Sequence, residues 1–162
     1  MSSTSKYLAT YLNDHLGGAT AGVELVRRAA RENEGSELGA FLSDLAAQIE
    51  ADREALKAIM GELDVKADRA KVAGGWAAEK VGRLKPNAQL RGYSPLSPLV
   101  ELEGLLVGIQ GKLGLWRALA EIADALGLDR VRLQELAAGA ETQQADVERH
   151  RIDVARRALT AV

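Results

Sequence analysis

Leucine, alanine and valine recur along most of the chain at intervals of three or four residues, with charged residues between them. This spacing places the apolar side chains on one face of a helix, and it is sustained over many turns. The pattern predicts four long helices, at about residues 4–32, 37–62, 95–126 and 129–160. A weaker helical pattern, interrupted by glycines, lies within residues 66–84.

Short turns join the helices into two pairs. Asn33 and Gly35 follow the first helix and Gly127 follows the third, and both residue types favour the end of a helix. Helices joined by a short turn lie antiparallel, whereas residues 63–94 are long enough to travel the length of the bundle. The sequence therefore predicts an all-α fold over residues 1–162: one four-helix bundle with a long crossover connection that carries a short extra helix. The alternative is a plain up-and-down bundle in which the long connection is a disordered excursion.

Composition and charge exclude several classes of function. Charged residues make up 27% of the 162 residues and nearly balance, giving a net charge of -2, so no basic surface is expected for nucleic acid or an anionic membrane. The absence of cysteine excludes disulfides and cysteine-bound metals. Glu101 and Glu103 break the most apolar stretch, and the first residues lack the apolar segment of a signal peptide. We expect a cytoplasmic protein with neither nucleic-acid nor membrane partners.

Three short segments resemble the helices of bacterioferritin-type proteins, which belong to the ferritin-like superfamily. "YLNDHLGGATA", from Tyr11, is similar to the opening of the first helix in that family. "EADREALKAIMGELDV", from Glu50, is similar to a segment of the second, and "ETQQAD", from Glu141, to a segment of the fourth. The resemblance covers nearly the whole chain and implies a ferritin-like four-helix bundle.

The resemblance also implies a di-iron site, which this chain does not reproduce. Such sites take one glutamate from each of two helices and a Glu-x-x-His pair from each of the other two. The corresponding positions here hold Ala19, Ala47, Glu50, Gln110, Glu141 and Gln144. Three residues before the two histidines, His15 and His150, stand Leu12 and Val147, so the chain contains no Glu-x-x-His pair. The sequence predicts a degenerate di-iron site.

Several polar side chains nevertheless fall on the inward faces of the predicted helices. Helical projection places five of them there: His15, Asp52, Arg53, Gln110 and Gln144. Because buried polar groups need partners, we expect these residues to form a polar layer in which Asp52 is hydrogen-bonded to His15 or Arg53. The alternative is an atypical iron or manganese site formed by His15, Glu50, Asp52, Glu141 and Gln144.

The third predicted helix is apolar on more than one face, which indicates that it is covered on most sides. Leu105, Leu115, Leu119 and Ile122 lie away from the main apolar stripe, so either the crossover segment or a second copy of the chain covers them. A homodimer through the third helix or the crossover is the favoured interpretation. Trp116 is expected in the core, and Lys112 is expected to reach the bundle edge or to pair with a neighbouring acid.

Two functions follow from this pattern. The first is a non-catalytic ferritin-like protein, structural or partner-binding, which holds no cofactor because a buried polar layer replaces the di-iron site. The second is an atypical metal-binding protein that handles iron or acts as an oxidase. The first is favoured because a metal would lack the carboxylates needed to hold it.

Overall fold

The computed structural model describes residues 5–68, 70 and 92–160. Five helices form the regular structure of these residues: α1 Lys6–Glu32, α2 Glu37–Glu62, α3 Ser97–Glu121, α4 Ala123–Leu126 and α5 Arg130–Thr160. No strand occurs within the described ranges, so the prediction of an all-α fold is confirmed. Within the same ranges, none of the helices combines the length and the apolar character that crossing a membrane requires.

Side-chain caps explain where three of the long helices begin. The Ser5 hydroxyl accepts hydrogen bonds from the first backbone N–H groups of α1, and the Ser36 hydroxyl accepts one from Gly39 at the start of α2. The Asp129 carboxylate accepts a hydrogen bond of 2.9 Å from the backbone N–H of Val131. These oxygens satisfy N–H groups that the helix itself leaves without partners.

The third helix is shorter than predicted. It ends at Glu121, Ile122 departs from helical geometry, and the single turn of α4 follows before Gly127 adopts a φ of 69°. Glycine tolerates this left-handed conformation, as predicted for the stop at Gly127. The periodicity of the sequence continues through Ile122 and therefore did not reveal the break.

Paired contacts fix the relative directions of the helices. In each neighbouring pair, residue numbers rise along one helix as they fall along the other. Asn13–Lys66 and Arg27–Glu50 join α1 to α2 and to the residues just after it. Glu103–Arg151 and Arg117–Glu141 join α3 to α5. Asp52–Gln143 and Glu62–Arg132 join α2 to α5. Thus α1 and α5 run one way, and α2 and α3 run the other. The end of α2 and the start of α3 therefore lie at opposite ends of the bundle. The extra helix predicted within 66–84 falls largely outside the described residues.

One apolar core extends along the bundle and receives side chains from all four long helices. Trp116 is 1% exposed, which confirms its predicted place in the core. Leu105, Leu115 and Leu119 are also buried within the single chain, whereas Ile122 is 43% exposed. The chain's own helices therefore cover most of the second apolar face of α3. The homodimer stays a prediction.

Asn13 of α1 and Asn33, the residue that caps the end of α1, hold the chain at opposite ends of the bundle. The buried Asn13 amide donates to the Lys66 carbonyl at 3.1 Å, and its oxygen accepts from the Asp68 backbone N–H at 2.7 Å. Asn33, at the end of α1, donates to the Tyr93 hydroxyl at 2.8 Å. Because a helix rises 1.5 Å per residue, these anchors lie roughly 30 Å apart. The segment that leaves α2 and the segment that enters α3 are each tied to α1.

Gly39 permits the tight turn between α1 and α2. A Cβ at this position overlaps the backbone carbonyl of Asn33, which cannot rotate away as a side chain could. We expect Gly39→Ala to lower the free energy of unfolding by about 1–3 kcal/mol, measured by urea denaturation. Gly61→Ala is the control in the same helix, because its Cβ meets open space. It should be neutral or stabilise by up to about 1 kcal/mol. Equal effects of the two substitutions would contradict this account of the turn.

Candidate functional site

A largely buried polar cluster joins three helices near the middle of the bundle. The Lys112 ammonium of α3 donates to Asp52 Oδ2 of α2 at 2.5 Å, and it also donates to the Gln143 side-chain carbonyl of α5. The Gln143 amide completes the triangle by donating to Asp52 Oδ2 at 3.0 Å. The side chains of Lys112 and Asp52 are only 14% and 15% exposed. These three residues are called the Asp52–Lys112–Gln143 cluster below.

Burial and the charge of Asp52 act in opposite directions on the pKa of Lys112. Desolvation lowers the pKa of Lys112, whereas the neighbouring Asp52 carboxylate, through its charge and its hydrogen bond, raises it. An ion pair inside a protein is stable only when hydrogen bonds accompany the opposite charges, and Gln143 supplies one to each partner. The cluster is therefore internally neutral and satisfied.

The prediction that Asp52 is hydrogen-bonded to His15 or Arg53 was wrong. Neither His15 nor Arg53 bonds to it, because the long side chain of Lys112 reaches its carboxylate from α3. The Arg53 guanidinium instead binds two acids of its own helix, Glu50 at 3.4 Å and Glu54 at 3.3 Å. The expectation that Lys112 pairs with a neighbouring acid is confirmed.

His15 packs against an aromatic ring rather than against an acid. Its imidazole lies edge-on to Tyr11, one helical turn away, with ring centroids 4.5 Å apart. Burial lowers the pKa of His15, and the nearby Asp14 carboxylate offsets this only in part. The imidazole is therefore mainly neutral at pH 7.

The two glutamines of the predicted polar layer bind each other at the edge of the bundle. The Gln144 amide donates to Gln110 Oε1 at 2.9 Å, and Gln110 is exposed. The neighbouring residue, Gln143, is the buried one. Both glutamines fit the helical spacing between Ala140 and Val147. Gln143 divides it into steps of three and four residues, and Gln144 divides it into steps of four and three. Periodicity alone could not choose between them.

The residues of the alternative metal site do not come together. Arg27 binds Glu50 at 2.6 Å, and Arg117 binds the exposed Glu141 at the same distance. Asp52 is engaged by Lys112, while His15 and Gln144 make the separate contacts described above. In the ranges that the structure describes, no three His, Asp or Glu side chains are placed to hold one metal ion. The five residues of the alternative site are thus engaged in separate contacts.

A second polar network, which sequence analysis missed, lies where α3 approaches the end of α1. Glu101 is 4% exposed and accepts hydrogen bonds from the Tyr93 hydroxyl at 2.5 Å and from Arg28 Nε at 3.2 Å. Burial, followed by the hydrogen bond to Glu101, raises the pKa of Tyr93, while the hydrogen bond from Asn33 opposes this rise. In the sequence, Glu101 is visible only as an interruption of an apolar run.

A large apolar cavity opens beside the Asp52–Lys112–Gln143 cluster, between α1 and α3. Its volume is about 930 Å³, and Asp52, Lys112 and Trp116 contribute to its lining. Small residues from the facing helices form much of the wall: Gly18, Gly22, Gly104, Gly108 and Gly111. Glycines three and four residues apart on a helix share a face, so this feature was visible in the sequence, although its meaning was not.

Comparison with protein-family models, with curated proteins and with solved structures finds no match to this chain. The features of this chain that bear on its function are therefore the two buried networks and the cavity. The two networks are internally satisfied, and the one buried side-chain nitrogen or oxygen without a hydrogen-bond partner among the described residues is the indole nitrogen of Trp116.

Proposed function

We propose that this chain is a non-catalytic ferritin-like protein, structural or partner-binding, in which an ion-paired cluster replaces the di-iron site. The observation that carries the proposal is the contact of 2.5 Å between the Lys112 ammonium and the Asp52 carboxylate. In the ferritin-like arrangement, metal ions provide the positive charge that inward carboxylates require. Here a lysine of the chain itself provides that charge.

The position of the cluster supports this interpretation. It connects α2, α3 and α5, so a shift of any one helix along its axis breaks at least one of its hydrogen bonds. Buried polar groups of this kind can fix the register of packed helices, which is a structural role that needs no metal. The two helix directions, with α2 and α3 parallel, are also those that a single long crossover produces in ferritin-like bundles.

Metal analysis tests the proposal. The full chain, produced without chelators in media supplemented with iron or with manganese, should contain far less than one metal ion per molecule by mass spectrometry. The reason is that Arg27, Arg117 and Lys112 already neutralise the carboxylates that would act as ligands.

A matched pair of variants makes the result decisive. Asp52→Asn removes the inward carboxylate, and Asp153→Asn removes an exposed carboxylate of α5 that pairs with Arg156 three residues away. Neither should change the metal content. Stoichiometric metal in the parent protein, lost in Asp52→Asn and kept in Asp153→Asn, would overturn the proposal in favour of iron handling or oxidase activity.

A further inference from the structure

We draw no further inference here: the strongest candidate, the apolar cavity that opens between α1 and α3, carries none, because nothing in the described part of the chain shows what covers it.

Discussion

Asp52→Ala is expected to lower the free energy of unfolding by about 2–4 kcal/mol, because it leaves the Lys112 ammonium buried without its counter-charge. Gln143 would remain as the only neighbour of that ammonium within the cluster, and an amide carbonyl cannot replace a carboxylate. Urea denaturation of the parent protein and the variant provides the measurement. A loss well below 1 kcal/mol would show that the cluster adds little to stability.

A double-mutant cycle separates the ion pair from other effects. Lys112→Met keeps the length of the side chain without its charge, and in combination with Asp52→Ala it leaves no buried charge unpaired. The double variant should therefore be less destabilised than the sum of the single variants, with a coupling of about 1–3 kcal/mol. His15→Gln should show almost no coupling to Asp52, since the two side chains do not contact each other. Strong coupling to His15 would restore the pairing that the sequence predicted.

Glu101→Ala should have the second largest effect, a loss of about 2–3 kcal/mol in the free energy of unfolding. The substitution removes the acceptor of the Tyr93 hydroxyl and of Arg28, and a half-buried donor left unpaired costs about 1–3 kcal/mol. Glu103→Ala is the matched control in the same helix, because Glu103 is half-exposed and pairs with Arg151 near the surface. Its effect should stay within about 0.5 kcal/mol.

Tyr93 provides a rescue test for this network. If the unpaired hydroxyl accounts for the loss, adding Tyr93→Phe to Glu101→Ala should cost little more, whereas Tyr93→Phe alone should destabilise the parent protein. Equal effects of Tyr93→Phe in the two backgrounds would assign the loss to Arg28 or to packing.

The helices could be predicted because each depends on neighbours in the sequence. The apolar period located α1, α2 and α5 to within a few residues, and Gly35 and Gly127 marked two stops through their backbone conformation. The break at Ile122 could not be predicted in the same way. Its residue types are ordinary for a helix, so the interruption depends on how α3 turns into α5 in three dimensions.

The candidate site was less predictable, because its contacts join residues from different helices. Asp52 was correctly placed inward, but the choice of its partner depended on the tilt of the helices and on the reach of Lys112. The choice between Gln143 and Gln144 depended on a rotation of α5 that the period does not resolve. The cavity depends on the distance between α1 and α3, which the sequence of neither helix specifies.

The anchors at Asn13 and Asn33 also determine how freely the connection between α2 and α3 can change in length during evolution. About ten extended residues suffice to cover the roughly 30 Å between Asn13 and Asn33, and 23 residues stand between Asp68 and Gly92. The entropy of chain closure grows slowly with the length of a connection, by about 0.6 kcal/mol for each doubling. Insertions or deletions in this stretch are therefore compatible with an unchanged bundle, provided that Asn13 and Asn33 keep their hydrogen bonds. Natural variants of the chain should differ in length there sooner than in the short turns at Gly35 and Gly127.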